Sequence, residues 1–270
     1  MIKSFYKIIV FSLIGAMAIS CSSYEKLLKS SDNEKKYEMA LKYYEKKDYF
    51  RSIQLLDELT TVFRGTDKAE KVYYYYAYSY YGQENYLMAN YNFKLFAKTF
   101  PSSDKAEEAL YMCAYCYYMD SPEYSLDATS TYKAINELQL FINTYPKSTR
   151  VAECNKLIDD LRAKLELKSY ENAQLYFQTK EYKAAIVCFN NLIKDFPDTK
   201  YREEVLFLIF KSAYYFESNS VDSKKAERIK SAVSAYKEFV SKYPQSAYIK
   251  EANSMYSNLE QEITKLNIII

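Results

Sequence analysis

The sequence contains no histidine and no tryptophan, and it has only three glycines and five prolines among its 270 residues. Histidine is the commonest general base and the commonest transition-metal ligand, so its absence removes the usual apparatus of hydrolytic and metal catalysis. Because Gly15 lies within the first twenty residues, only Gly65 and Gly82 remain, and they cannot form a phosphate-cradling loop. We therefore expect no enzyme, no metal site and no cofactor.

The chain also lacks a large excess of positive or negative charge. Lysine and arginine number 37 against 35 aspartates and glutamates, and removal of Lys3 and Lys7 with the first twenty residues leaves 35 against 35. A balanced chain lacks the basic footprint that nucleic acid requires, so no nucleic-acid partner is expected. After the first twenty residues no apolar segment approaches the length that spans a membrane.

Residues 1–20 have the form of a signal peptide. Lys3 and Lys7 supply a positive start, and a mostly apolar stretch over 8–19 is too short to cross a bilayer. The segment that ends at Cys21 resembles a bacterial lipoprotein processing box, although Ala18 stands where the pattern prefers leucine. The resemblance implies that Cys21 becomes the first mature residue and anchors the chain in a membrane through lipid. The alternative is an ordinary secretory signal with an incidental cysteine.

Four cysteines follow Cys21. Cys113 and Cys116 form a CxxC within a helical pattern, where we interpret them as small packing residues, because their spacing on one helix is poor for a mutual disulfide. Cys154 and Cys188 remain a possible pair in an oxidising compartment. An enzyme that uses Cys113, or a carboxylate pair such as Glu107 and Glu108, is the catalytic alternative, but no base is positioned to assist it.

One unit is repeated along the mature chain. An aromatic residue followed by proline ends a predicted helix, because proline stops a helix and biases the residue before it away from helical dihedrals. A hydroxyl two residues after the proline is placed to cap the next helix. The aromatic residues are Phe100, Tyr145, Phe196 and Tyr243, with a degenerate copy at Phe63.

Eleven residues before each of these aromatics stands a small residue, and apolar residues follow it by four and by seven on the same helical face. A second helix with its own alanine precedes this helix, so that each unit has a helix A and a helix B. The small residues of helix B are Ser52, Ala89, Ala134, Ala185 and Ala232, and those of helix A are Ala40, Ala77, Ala114, Ala173 and Ala213.

This pattern resembles the tetratricopeptide (TPR) repeat. We predict an all-α, TPR-like helical solenoid of about five helix pairs, with one long helix over 149–177 and a C-terminal capping helix over about 246–265. We divide the mature chain into an N-terminal sub-array, residues 21–147, and a C-terminal part, residues 148–270, that comprises the long helix and a second sub-array.

Tyrosine is unusually abundant, with 32 residues. Helix A of the first three copies carries a second apolar stripe at offsets of four and seven, and the TPR resemblance places it on the concave face. One interpretation is an aromatic groove for an extended peptide, since tyrosine offers flat apolar area and a hydroxyl. The other is that these rings fill the inside of a tightly curled array. The candidate peptide-binding residues are Tyr37, Tyr44, Tyr74, Tyr78, Tyr81, Tyr111, Tyr115 and Tyr118.

The insert in the third copy makes the resemblance to a known family more specific. The run Ser121-Pro122-Glu123-Tyr124-Ser125-Leu126-Asp127, followed by Thr131, Ala134 and Tyr145-Pro146-Lys147-Ser148, is similar to the BamD-type family of outer-membrane assembly lipoproteins. The family implies a non-enzymatic part of the β-barrel assembly machinery, lipid-anchored on the periplasmic face of the outer membrane. Its N-terminal repeats are expected to bind unfolded outer-membrane proteins. The C-terminal repeats are expected to bind the periplasmic domains of the barrel-forming core subunit, and other assembly lipoproteins are further partners.

A different periplasmic TPR lipoprotein, which coordinates cell-wall synthesis or division, is the main alternative. That class predicts a coiled-coil oligomerisation segment, and the sequence shows no sustained heptads.

Overall fold

The computed structural model describes residues 23–218 and 222–268, and within these ranges the chain forms helices and no strands. The predicted all-α fold is confirmed. The predicted signal peptide, residues 1–20, and Cys21 lie outside the described residues. The helices are α1 (residues 23–28), α2 (Asn33–Glu45), α3 (Tyr49–Val62), α4 (Ala69–Gly82), α5 (Tyr86–Thr99), α6 (Ala106–Met119), α7 (Thr129–Thr144), α8 (Val151–Gln178), α9 (Tyr182–Asp195), α10 (Arg202–Ser218), α11 (Asp222–Lys242) and α12 (Ile249–Lys265).

The chain forms two compact units. Among the described residues, unit 1 comprises those through Pro122 together with Asp127–Asp159, and unit 2 comprises Glu123–Leu126 and those from Asp160 onwards. The division falls inside α8, the long helix that the sequence predicts over 149–177. Lys168 of α8 donates hydrogen bonds to the carbonyls of Tyr124 and Leu126, which attaches this part of the third-copy insert to unit 2.

Consecutive helices pack against each other within each unit. In unit 1 every helix from α2 to α7 packs on the next, and in unit 2 α10 packs on α9, α11 and α12. The small residues that the repeat predicts are all buried, and Ser52 of α3 donates a hydrogen bond to the carbonyl of Ala40 in α2 at 3.0 Å. A helix pair of this kind buries its apolar faces chiefly against its neighbours, which is the packing of a TPR-like array.

A hydroxyl two residues after a proline joins consecutive copies at Ser103, Ser148 and Thr199. Ser103 accepts a hydrogen bond from the backbone N–H of Lys105 at 3.0 Å and donates to Glu70 Oε1 at 2.9 Å. Ser148 accepts from the N–H of Arg150 at 3.1 Å and donates to Glu107 Oε1 at 2.5 Å. The expectation of helix capping is corrected here, because the N–H groups bound precede the helices and the hydroxyls also reach back to the preceding helix A.

The tight turns between helices A and B adopt left-handed backbone conformation without glycine. Lys47, Glu84 and Lys180 have φ values of 59°, 59° and 65°. A side chain with a Cβ is strained in this region by about 1–2 kcal/mol. The scarcity of glycine in the sequence is therefore accommodated by strain in at least three turns.

None of the described helices combines the length and apolarity that a bilayer crossing needs.

We predict that Glu84→Gly raises the free energy of unfolding by about 0.5–1 kcal/mol. Glycine relieves the left-handed strain, and the greater conformational entropy that it gives the unfolded chain offsets only part of this stabilisation. Urea unfolding measures the change. Gln83→Gly is the matched control, since Gln83 has a φ of −85° and glycine there has no strain to relieve. Equal effects of the two substitutions would contradict this account of the turn.

Candidate peptide-binding surface

One aromatic ring on helix A of each early copy lies under a cation from the next copy. Lys68 and Lys105 immediately precede the following helix A, and their Nζ atoms lie 5.4 Å and 5.7 Å from the ring centroids of Tyr37 and Tyr74. The guanidinium of Arg150 lies 4.2 Å from the ring of Tyr111. We call Tyr37, Tyr74 and Tyr111 the joint rings, because each connects one helix pair to the next.

Unit 2 makes the same joint with stacked rings in place of cations. Tyr201, just before α10, stacks on Tyr170 at 4.1 Å between centroids. Tyr248, just before α12, stacks on Phe207 at 4.7 Å. Phe207 is therefore the joint ring of the fifth copy, and the alignment of helix A on Ala213 is corrected by three residues, since Phe210 takes the alanine position.

Helix B covers the joint rings from another side. Phe96 and Phe141 lie 5.8 Å and 5.7 Å from the rings of Tyr74 and Tyr111 in edge-on contacts. Tyr111 is only 4% exposed. It therefore has almost no surface to offer a ligand, and its ring instead stacks on that of Tyr115.

The other predicted tyrosines form a half-buried set in unit 1. We call Tyr44, Tyr78, Tyr81, Tyr115 and Tyr118 the tyrosine row; each lies four or seven residues beyond a joint ring, and none is fully buried. Tyr115 stacks between Tyr111 and Tyr118, with centroid distances of 5.7 Å and 5.9 Å, so the three rings form one stacked series.

Tyr44 connects this row across two copies. Its ring lies 4.9 Å from Tyr75 of the next helix A and 5.7 Å from Tyr49 of its own helix B. The structure thus lies between the two interpretations of the tyrosines. The joint rings make packing contacts between copies, and of the eight predicted tyrosines only Tyr111 is buried, whereas the other seven remain partly exposed.

Glu108 fixes the hydroxyl groups at the centre of this surface. Tyr74 donates to its Oε2 at 3.0 Å and Tyr78 donates to its Oε1 at 2.6 Å. Burial is the main cause that raises the pKa of Tyr74 to about 12, and the Glu108 carboxylate adds to it. Burial likewise raises the pKa of Tyr78, followed by its hydrogen bond to Glu108. Both rings are therefore neutral hydrogen-bond donors with fixed orientation at physiological pH.

The sequence reasoning missed the partners that hold these rings. In the sequence Glu108 is distinguished only as one of a carboxylate pair, and Lys68 and Lys105 only as charged residues before a helix, which usually lie on a solvated face. A usable signal existed, because Lys68 and Lys105 are separated by the same interval as Tyr37 and Tyr74.

The residues of the catalytic alternatives are engaged in packing and in hydrogen bonds. Cys113 and Cys116 are buried free thiols, and burial raises the pKa of Cys113 to about 12. Glu107 and Glu108 accept hydrogen bonds from Ser148 and from the two tyrosines. Across the described ranges no three His, Cys, Asp or Glu side chains meet as metal ligands would.

The helix pairs and their joints define a TPR-like repeat protein. The sequence profile of YfiO, an outer membrane lipoprotein family, matches residues 29–227. The chain belongs to this family of outer membrane lipoproteins. No curated protein matches the chain.

Two solved TPR structures are similar to the chain at low identity. The TPR domain of P58(IPK) has 15% identity and a TM-score of 0.41, and the match covers 88% of this chain and 62% of that one. A TPR repeats protein from Bacteroides fragilis NCTC 9343 has 15% identity and a TM-score of 0.40, with 87% and 100% covered. Both superpositions are loose, and the fold assignment rests on the chain's own helix pairs.

We predict that alkaline pH destabilises the folded protein through its tyrosines. Unfolded tyrosine loses its proton near pH 10, whereas folded Tyr74 keeps it to about pH 12. The unfolded state therefore releases protons first, and the stability present below pH 10 is lost as the pH rises towards 12. The urea midpoint should fall over this interval, and it should fall less steeply in Tyr74→Phe. Tyr132→Phe, which removes an exposed hydroxyl, should leave the slope unchanged; an equal slope in all three proteins would refute the assignment.

We predict that a maleimide labels the native protein mainly at Cys188. This thiol is half-buried, whereas Cys113, Cys116 and Cys154 are fully buried, and burial raises the pKa of Cys154 to about 11. Intact-mass measurement of a Cys21→Ser protein should show one rapid addition under native conditions and four in denaturant. Rapid native labelling of Cys113 would contradict the packing interpretation of the CxxC.

Proposed function

We propose that the protein is a non-enzymatic lipoprotein component of the outer-membrane β-barrel assembly machinery, the role implied by its resemblance to BamD-type lipoproteins. The tyrosine row of unit 1 carries the proposal, because it gives a member of an outer membrane lipoprotein family a partly exposed aromatic surface suited to another polypeptide. The proposed ligands are unfolded outer-membrane proteins, whose extended segments dock against the flat ring faces.

The two halves of the chain support a division of labour. In helix A of the fourth copy, Gln174 stands where Tyr78 and Tyr115 stand in earlier copies, and its Nε2 donates to the hydroxyl of Tyr170 at 2.6 Å. The aromatic row is thus interrupted in the second half. We propose that residues 21–147 bind unfolded substrate and that residues 148–270 bind the periplasmic domains of the barrel-forming core subunit, with other assembly lipoproteins as further partners.

Membrane attachment belongs to the same proposal. We place the protein on the periplasmic face of the outer membrane, held by lipid on Cys21 after removal of the signal peptide. The family is one of outer membrane lipoproteins, and the residues before Cys21 resemble a lipoprotein processing box with Ala18 as a departure from it. Several acyl chains give lasting attachment, since each buried methylene contributes about 0.8 kcal/mol.

We predict that photo-crosslinking groups at Tyr81 and Tyr118 capture an unfolded outer-membrane protein. These tyrosines occupy the same position in consecutive copies, at the end of helix A. The control position is Tyr132, an exposed tyrosine on helix B outside the row. Each of Tyr81→Ala and Tyr118→Ala should weaken binding of a C-terminal barrel peptide roughly tenfold, which corresponds to about 1.4 kcal/mol.

Thermal melting of the variants separates loss of binding from loss of fold. Capture at Tyr81 and Tyr118 no stronger than at Tyr132 would count against substrate binding by the row. Affinity purification of the lipidated protein from detergent-solubilised envelope tests the partner. A barrel protein with periplasmic repeats should be recovered, whereas cell-wall enzymes would favour the alternative of an envelope scaffold for wall synthesis or division.

A further inference from the structure

The first described residues are fixed firmly to the first helix pair. Tyr24 and Leu27 of α1 are buried against it. The hydroxyl of Tyr24 donates to Gln54 Oε1 of α3 at 2.6 Å, and its ring contacts Tyr43 of α2 edge-on at 5.6 Å. The guanidinium of Arg51 lies 5.3 Å from the same ring. The short helix α1 is therefore part of the folded body rather than a loose extension of it.

This attachment limits the distance between the folded body and a lipid on Cys21. An extended chain advances at most about 3.6 Å per residue, so the Cα of Cys21 lies within about 7 Å of that of Ser23. If Cys21 carries lipid, as the proposed function requires, the surface around α1 has no long tether. That surface must lie close to the headgroups of the bilayer.

The surface beside α1 exposes a large apolar side chain. Phe50, in the first turn of α3, is 63% exposed. It lines an open depression of about 510 Å³ together with Tyr24 and Leu28 of α1. Lys46 and Lys47 are exposed in the turn just before α3, and the charged residues that line the depression are Glu25, Asp48 and Arg51. An exposed phenylalanine with exposed lysines a few residues before it is typical of surfaces that enter the interfacial region of membranes.

One position of the repeat holds exposed aromatic or aliphatic residues in unit 1 and exposed lysines in unit 2. Two residues before the small residue of helix B, unit 1 has Phe50, Leu87 and Tyr132, which are 63%, 66% and 57% exposed. The corresponding residues of unit 2 are the exposed lysines Lys183 and Lys230. Exposed apolar residues at this position are thus a property of the unit that begins beside the anchor.

We propose that the turn between α2 and α3, with Phe50 at its edge, lies against the lipid surface in which Cys21 is anchored. Phe50 enters the boundary between headgroups and acyl chains, and the neighbouring lysines remain at the level of the headgroups. The lipid chains hold the protein to the bilayer, and this contact orients unit 1 relative to the membrane surface. The inference rests on the proposed lipidation of Cys21.

The absence of tryptophan allows a direct test with single-tryptophan variants. The lipidated full-length protein carries Phe50→Trp and is reconstituted in vesicles that contain a brominated phospholipid, which quenches tryptophan on contact. Val62→Trp is the matched control. Val62 is also apolar and exposed, at 42%, but it lies at the other end of α3, about 18 Å along the helix axis.

We expect at least twofold quenching of tryptophan at position 50 and little change at position 62. Vesicle flotation of each preparation shows independently whether the protein is anchored. Failure to float would refute the proposed lipidation. Flotation with equal or no quenching at the two positions would overturn the proposed contact while leaving the lipidation intact. A third outcome is a tryptophan at position 50 that neither the brominated lipid nor aqueous iodide quenches. That outcome would also overturn the proposed contact, because a protein would then cover this edge.

Discussion

The fold depends on how one helix pair is joined to the next. A single pair cannot bury the aromatic ring that its helix A presents towards the following copy, so the residue that precedes the next helix A covers it. In unit 1 the covering group is a lysine or arginine, and in unit 2 it is a tyrosine. Such contacts contribute about 0.5–2 kcal/mol each, and they act between neighbouring copies, as the stability of repeat arrays requires.

This joint restricts where binding can take place. Tyr111 contacts Phe141 of its own helix B and Arg150 of the next copy and is only 4% exposed, so a ligand has little access to this ring. The tyrosine row lies farther along the same helices, where its rings also contact helix B and the next copy but stay partly exposed. Under the proposed function, helix A combines cohesion between copies with an aromatic surface for recognition, and Glu108 couples the two because it holds the hydroxyls of both Tyr74 and Tyr78.

Much of the fold could be predicted from the sequence because the repeat imposes its own register. The alanines of helices A and B, the proline-terminated helices and the long helix α8 all follow from spacing and helix periodicity. The fifth copy was misaligned at helix A because Phe210 replaces the alanine that marks the close approach elsewhere. The left-handed turns at Lys47, Glu84 and Lys180 were not predicted, since only glycine signals that conformation reliably in a sequence.

The candidate surface was predicted less completely than the fold. Helical offsets placed the eight tyrosines on one stripe but did not reveal which of them are covered, because the covering residues come from the next copy. Glu108 was visible only as a possible catalytic carboxylate, whereas its two oxygens hold the hydroxyls of Tyr74 and Tyr78. Long-range pairing of this kind depends on packing between copies, which a single helix pattern does not contain.

The sequence interval between a joint ring and the residue that covers it also bears on how such a repeat chain can have evolved. A ring and its cover stand at positions 37 and 68, 74 and 105, and 170 and 201, so the interval is the same in three copies. Duplication of one whole repeat in the gene would therefore supply a ring for the old cover and a cover for the new ring. Arrays of different length can arise by this route without any step that leaves an aromatic ring bare, and the lysine and tyrosine versions can then diverge in separate halves of the chain.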